Sequence, residues 1–268
     1  MTGNKYACTF RMGLQEAMEY RFDFVMTLIS MVFPVITSVC LWTAVNEGSG
    51  NIADTGYTYP QLLLYTILAA LMSKLITGGF EAEINEDIKM GGLNKYLVKP
   101  VSYMKYRYCA FMGNRLPGLL LFLILTAGCM VYFYAAYGLE TDGIFTILFL
   151  LSLFFAVSLR FLLLFCVAMW SFWFADASGM FGTINVVIWV ISGGIFPVTI
   201  FGDVIAGISR ILPFQYLTQF SVDTISGRLT AGEILKGLGV QCVWIAVLWI
   251  LAGILWRRGL KVYAAVGG

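Results

Sequence analysis

Six long runs of apolar residues set the strongest limit on how this chain can fold. They cover residues 24–45, 61–80, 116–137, 144–174, 179–198 and 234–256. A helix needs about 20 consecutive apolar residues to cross the core of a bilayer, and each run has about that length. The mean hydropathy of +0.84 is also far above that of an ordinary soluble domain. The alternative interpretation is a soluble protein with a very large buried core. The sequence therefore predicts an all-α membrane protein with six transmembrane helices in one domain, residues 1–268.

Basic residues are spread unevenly between the loops that join these runs. If both termini lie in the cytoplasm, thirteen of the 17 Lys and Arg residues fall on that side, namely Lys5, Arg11, Arg21, Lys74, Lys89, Lys95, Lys99, Lys105, Arg107, Arg115, Arg257, Arg258 and Lys261. Three fall on the other side (Arg210, Arg228 and Lys236), and Arg160 lies within a run. Cytoplasmic loops of membrane proteins carry an excess of Lys and Arg. The charge distribution therefore predicts that both termini are cytoplasmic.

The residue types that are missing exclude several kinds of chemistry. The chain has no histidine, which rules out HExxH zinc sites, Ser-His-Asp triads and Cys-His pairs. It also lacks the Gly-x-x-x-x-Gly-Lys-Ser/Thr loop that cradles the phosphates of ATP. We therefore predict no catalytic residue, no cofactor and no metal site in this chain. Its net charge of +2 gives no reason to expect a nucleic-acid partner.

Arg160 is the one charged residue placed well inside an apolar run, in the stretch "AVSLRFLLLF". An unpaired guanidinium at membrane depth is costly, so we expect it to face the interior of the bundle, water or a partner chain. One interpretation is that it binds an anionic group of a substrate. The other is structural: it pairs with backbone or with an acidic residue, or lies nearer the cytoplasmic end than the run suggests.

Two further segments have helical patterns outside the main runs. In residues 4–22 the apolar side chains of Tyr6, Phe10, Leu14 and Ala17 recur at helical spacing, which predicts an amphipathic helix on the inner membrane surface rather than a polar tail. The second segment covers residues 199–230. Around its start, Pro197 and Pro213 bracket a stretch whose apolar residues, Phe201 among them, follow an i, i+3, i+4 pattern. That pattern predicts either a short helix re-entering the outer leaflet or a long outer loop.

Residues 81–108, which we call the hook, carry many charges between the second and third runs. An acidic helical stretch leads to Gly91 and Gly92, which permit a sharp turn. A short amphipathic helical segment follows, with Leu93, Tyr96 and Leu97 on one face, and Pro100 ends this segment. Such a helix suits docking into a groove on a cytoplasmic partner, although a solvated loop would also satisfy the pattern.

Several stretches of the chain resemble the permease subunits of type-two ATP-binding-cassette (ABC) exporters. They are "EINEDIKMGGLNKYLVKPVS" in the hook, "FWFADASG", "SGGIFPVTIF", "LPFQYLTQFSVDTISGRL" and the ending "LWRRGLKVYAAVGG". The resemblance covers essentially the whole chain. It is nearest to six-span bacterial permeases that are encoded with a separate ATPase and often with a second permease.

The resemblance implies roles for the segments described above. Residues 4–22 would be the elbow helix, and the hook would contain the coupling helix that fits the ATPase, while Pro197, Phe201 and Pro213 would belong to the outer re-entrant region. The residues implied in coupling are Asp87, Gly91, Gly92, Leu93, Tyr96, Leu97 and Pro100. ATP and Mg would be bound only by the partner ATPase.

The resemblance also implies a function for the whole chain. We expect a permease in the bacterial cytoplasmic membrane that pairs with ATP-binding-cassette ATPase subunits and with a second permease, either an identical or a sister chain. Surrounded by membrane lipid, it would export an amphiphilic compound, such as an antibiotic, a peptide or a lipid-like molecule, by alternating access. The alternatives are an ATP-independent secondary carrier or channel, which the scarcity of carboxylates within the runs disfavours, and a membrane enzyme acting on lipid.

Overall fold

The computed structural model describes residues 3–19, 21–48, 56–75, 79–139, 143–174 and 177–263. All regular elements in these ranges are helical, which confirms the predicted all-α class. The α-helices are α1 (Gly3–Glu19), α2 (Arg21–Glu47), α3 (Tyr59–Leu75), α4 (Phe80–Lys89), α5 (Asn94–Leu97), α6 (Tyr103–Tyr137), α7 (Gly143–Ala168), α8 (Ser178–Ile191), α9 (Asp203–Ile211), α10 (Gln219–Ile225) and α11 (Ala231–Val262). Short 3₁₀ turns cover Met169–Phe172, Val198–Phe201 and Gln215–Leu217.

Within the described ranges, three helices are long and apolar enough to cross a membrane. They are α6, α7 extended to Phe172, and α11, with hydropathies of 2.2, 2.6 and 2.3 over their most apolar windows. Two shorter apolar stretches, Val32–Glu47 in α2 and Gly179–Ile191 in α8, accompany them. The protein is therefore a helical membrane protein in which three spans stand out by length and composition.

Helix boundaries differ from the predicted runs where glycine or charged residues intervene. Helix α8 ends at Ile191, although the apolar run continues to residue 198. Gly193 has a φ of +79°, and the Gly194 N–H reaches back to the Trp189 carbonyl at 3.0 Å, a common way to terminate a helix. Phe80, predicted at the end of the second span, instead begins α4.

Helix α7 forms the centre of the bundle. Within its apolar window 67% of the residues are buried inside the protein, against 17% for α6 and 22% for α11. It packs against α11, α10 and α4, and its residues from Val157 to Phe165 are all buried. The outer faces of α6 and α11 are thus left for lipid or another chain.

The predicted apolar face of α1 packs on α6 within the same chain. Tyr6, Phe10 and Leu14 are half-buried there, with Gly13 fully buried between them. The two helices cross so closely that a Cβ at Gly13 would collide with the Ala110 carbonyl oxygen. The helix exists as predicted, but its apolar side is used within the chain.

Candidate functional site

A buried ion pair holds the hook against the first turns of α6. The Arg107 guanidinium donates from Nη2 to Asp87 Oδ2 and from Nη1 to Glu83 Oε2. The Tyr103 hydroxyl donates to Asp87 Oδ2 at 2.8 Å and accepts from Arg107 Nε at 3.0 Å. Lys95 places its Nζ 3.3 Å from Asp87 Oδ1. Asp87 thus joins α4, α5 and α6 through charge-assisted bonds.

The turn between α4 and α5 is built around the same carboxylate. Gly91 has a φ of +73°, a conformation that costs a residue with a Cβ about 1–2 kcal/mol. Gly92 lies against the aspartate, because a Cβ there would be 2.7 Å from Asp87 Oδ1. The Leu93 N–H donates to the Asp87 carbonyl at 2.8 Å, and Pro100, beyond α5, is exposed.

The apolar surface of the hook is not the face that the sequence pattern predicts. Leu93 is fully buried against the chain itself, and Tyr96 is half-buried against aromatic rings of α6. Leu97 is 46% exposed, while Met90 and Val98 are 80% and 83% exposed. The apolar side chains that remain exposed for a partner are therefore those of Met90, Leu97 and Val98. Leu93 and Tyr96 instead pack against the chain itself and hold the hook in place.

The hook is also tied to the ends of two other helical segments. The Tyr103 ring stacks on Trp256 of α11 with centroids 4.9 Å apart and ring planes 10° from parallel. Lys89 donates from Nζ to the Phe174 carbonyl, just after the end of α7, at 2.6 Å. A displacement of the hook would consequently be passed to α6, α7 and α11.

Arg160 lies between α7, α8 and α4 in a chain of hydrogen bonds. Its Nη2 donates to Asn185 Oδ1 at 2.7 Å, and Asn185 Nδ2 donates to Glu81 Oε1 at 2.7 Å. The other oxygen of Glu81 accepts from the Gly79 N–H at 2.7 Å. Arg160 therefore faces the interior of the bundle, and among the described residues it reaches a carboxylate through the amide of Asn185.

The segment after α8 contains the short helix α9. Pro197 and Pro213 on either side of it are buried, while Phe201 is 48% exposed. The apolar face of α9 is exposed as well, with Val204, Ile205, Ile208 and Ile211 on it. Trp244 of α11 donates from Nε1 to the Ile211 carbonyl at 2.8 Å, which fixes the end of α9 to the bundle.

Sequence reasoning missed a buried polar cluster at the end of the bundle away from the hook. The Tyr57 hydroxyl donates to Asp223 Oδ1 at 2.7 Å, and Arg228 Nη1 and Gln219 Nε2 donate to Asp223 Oδ2 at 3.1 and 3.3 Å. The Arg228 guanidinium also lies 3.9 Å from the centre of the Tyr57 ring. The available signal was the spacing of Gln219 and Asp223, which are four residues apart and therefore lie on one face of a helix.

Burial dominates the electrostatics of this cluster. It raises the pKa of Asp223 to about 6, although Arg228 and the hydrogen bonds from Tyr57 and Gln219 act in the opposite direction. Burial, together with the nearby carboxylate, also raises the pKa of Tyr57 well above its ordinary value. The cluster therefore carries a carboxylate that titrates near neutral pH.

Comparison with known proteins gives the chain a family. A search of curated proteins found no match. Residues 32–267, which run from within α2 to the end of α11 and beyond, match the family described as ABC-2 family transporter proteins. The match covers most of the chain, including the hook, the Arg160 site and the buried polar cluster around Asp223. The resemblance to type-two ABC permeases is thereby confirmed, and the chain belongs to the ABC-2 family of transporter proteins.

Proposed function

We propose that this chain is the permease subunit of an ATP-driven exporter that moves an amphiphilic compound, such as an antibiotic, a peptide or a lipid-like molecule, across the bacterial cytoplasmic membrane. The observation that supports this most is the hook, which combines exposed apolar side chains with a buried ion pair to α6. ABC-2 transporters are membrane components that normally work with an ATPase. The chain has no phosphate-binding loop, so ATP and Mg would be bound by that partner.

Six spans are assigned to α2, α3, α6, α7, α8 and α11. Helix α8 has 14 residues and rises about 21 Å, which is less than the bilayer core of about 30 Å. The apolar turn after it and α9 would complete that crossing within the outer leaflet, where the exposed apolar face of α9 would meet lipid. With six spans, both termini lie on the hook side, which the basic residues assign to the cytoplasm.

The contacts that hold the hook support a role in coupling the ATPase to the membrane spans. Met90, Leu97 and Val98 project from a loop that lies outside the apolar windows, where exposed apolar side chains suit a protein partner. Beneath them the Asp87–Arg107 pair makes the hook stiff. A push from the ATPase would therefore move the ends of the spans rather than bend the loop.

Alternating access requires a second permease, an identical or a sister chain, against which the bundle can move. The exposed apolar residues on the long helices provide surface for both lipid and this second chain. Ile124 and Val131 on α6 and Val243 and Ile250 on α11 are all more than 60% exposed.

Copurification of the chain with its cassette ATPase in detergent tests this function. Val98→Glu and Met90→Glu should each reduce the recovered ATPase at least tenfold, because a charge would enter an apolar contact. Leu235→Glu is the matched control, since Leu235 is 61% exposed in the first turn of α11, at the opposite end of that helix from the hook. It should leave recovery unchanged.

Two results would overturn the proposal. One is ATPase recovery that both hook variants leave intact. The other is substrate flux in vesicles that continues without ATP and follows an ion gradient, which would make the chain a secondary carrier.

A further inference from the structure

A cavity of about 310 Å³ lies beside Arg160, between α2, α3, α7 and α8. Its wall is largely apolar, with Pro34, Val186 and Leu217 among the lining residues. Ligand pockets begin at about this size, which suits a small polar group joined to a short chain or a ring. Its contacts with four membrane helices place it where a transported compound would pass.

Three of the polar residues that line this cavity, Lys74, Arg160 and Trp189, can only donate hydrogen bonds. Arg160 is 7% exposed, and within the described part of the chain its Nε has no acceptor. The indole N–H of Trp189 is buried and equally lacks an acceptor among the described residues. Lys74 also lines the cavity and has no carboxylate within 4.0 Å in the described ranges.

Among the described residues, Glu81 is the carboxylate linked to Arg160 through Asn185, and it does not line the cavity. Glu81 already accepts from Asn185 and from the Gly79 N–H, so its two oxygens are engaged outside the cavity lining. The negative charge of Glu81 favours the charged form of Arg160, while Arg115 adds a second positive charge that opposes it. Buried donors without acceptors are rare and costly, and a buried guanidinium is costlier still. A negatively charged acceptor entering the cavity would satisfy the Arg160 Nε and the Trp189 indole N–H.

From this excess of donors and positive charge we infer that the cavity binds an anionic amphiphile. Its carboxylate or phosphate would accept from Arg160 and Trp189 with Lys74 nearby, and its apolar part would lie against Pro34 and Leu217. The inference rests on the proposed function in one respect: it takes the bound anion to belong to the class of compound that is transported. Binding itself requires neither ATP nor a partner ATPase.

Quenching of tryptophan fluorescence tests this inference on the full chain in phosphatidylcholine nanodiscs. The probe is 10-bromodecanoate, whose bromine quenches tryptophan at contact, and the comparison is a trimethylammonium amphiphile with the same brominated chain. We expect saturable quenching by the anion only. Trp189→Phe should remove most of the saturable signal.

Charge variants then locate the headgroup. Arg160→Gln should raise the apparent Kd at least tenfold, since a charge-assisted bond contributes about 1.5–3 kcal/mol. Lys74→Gln should raise it several-fold, and Arg160→Lys should restore part of the affinity. Lys105→Gln, which removes an exposed charge away from the cavity, should have no effect. If Arg160→Gln does not fold, Lys74→Gln and Arg160→Lys still decide the result.

Adding phosphatidylglycerol distinguishes two sources of the anion. If an anionic lipid occupies the cavity, this lipid should weaken probe binding to the wild type but not to Arg160→Gln. If the occupant is a soluble compound, the lipid should have no effect.

The inference is overturned if the cationic probe saturates equally well, or if Arg160→Gln and Lys74→Gln fold and bind the anion unchanged. ATPase recovery in the same variants separates this outcome from failure of the proposed function, because the hook is intact in all of them.

Discussion

Arg107 bonds two carboxylates at once, and it meets Asp87 inside the protein but Glu83 near the surface. The side chains of Arg107 and Asp87 are 10% and 9% exposed, whereas that of Glu83 is 54% exposed. A pair that is shielded from water loses much more when one partner is removed than a solvated pair does. The two bonds of one guanidinium therefore differ in their contribution to the stability of the hook.

Asp87→Asn should lower the free energy of unfolding by about 3 kcal/mol, because it leaves a buried guanidinium without its main partner. Glu83→Gln should lower it by less than about 1 kcal/mol. Unfolding of the purified chain in mixed detergent micelles measures both values. Equal losses in the two variants would mean that burial does not distinguish the two bonds.

The turn at Gly91 gives a second prediction. Its φ of +73° is a left-handed conformation that alanine adopts at a cost of about 1–2 kcal/mol. Gly91→Ala should therefore destabilise the hook by that amount and reduce the recovery of ATPase. Gly91→Asn should have a milder effect, because asparagine tolerates this conformation better than alanine. If alanine and asparagine behave alike, the turn does not depend on its backbone conformation.

The long spans could be predicted because their apolar runs are long, with Arg160 as the one charged residue placed well inside them. In α7 and α11 the run and the helix nearly coincide, while α6 begins at Tyr103, well before the run starts at residue 116. Its first turns carry charged residues such as Arg107 and Arg115, which hide a helix from a search for apolar length. The end of α8 depends on a backbone conformation at Gly193 that hydrophobicity does not encode.

The candidate sites were predicted less well, because they join residues that are distant in sequence. Glu81 and Asp87 belong to the stretch predicted as an acidic helix, and the sequence does not indicate that both are buried by partners on other helices. Tyr57 and Asp223 are 166 positions apart, and no local pattern indicates that they meet. Residue type predicted the turn at Gly91 and Gly92, while tertiary packing decided which side of α5 faces outward.

The crossing of α1 and α6 gives a third prediction. A Cβ at Gly113 would collide with the Phe10 carbonyl oxygen, which belongs to a helix and cannot move by itself. Gly113→Ala should therefore push α1 away and lower the unfolding temperature by several degrees. Gly128→Ala in the same helix meets no atom within 4 Å and should be neutral or slightly stabilising. Protection of α1 amides from hydrogen exchange should fall only in the first variant.

Because of Asp223, the free energy of unfolding should fall as the pH rises, which is opposite to the usual effect of a carboxylate. Burial raises its pKa to about 6 in the folded chain, against 3.8 for an ordinary aspartate. Between these values the folded state holds more protons than the unfolded state, so stability falls as the pH rises. The contribution of protonated Asp223 is complete below about pH 4 and lost above about pH 6.

Asp223→Asn should remove this dependence, because an amide stays neutral and still accepts the hydrogen bond from Tyr57. One pKa unit corresponds to about 1.4 kcal/mol, so the wild type should lose about 2.4 kcal/mol relative to the variant between pH 4 and pH 7. The Tyr57 hydroxyl, which donates to Asp223, stays protonated in this range because burial raises its pKa well above the ordinary value. Melting curves at half-unit pH steps measure the difference. Parallel curves for the two proteins would mean that Asp223 remains ionised throughout, with Arg228 fully offsetting the effect of burial.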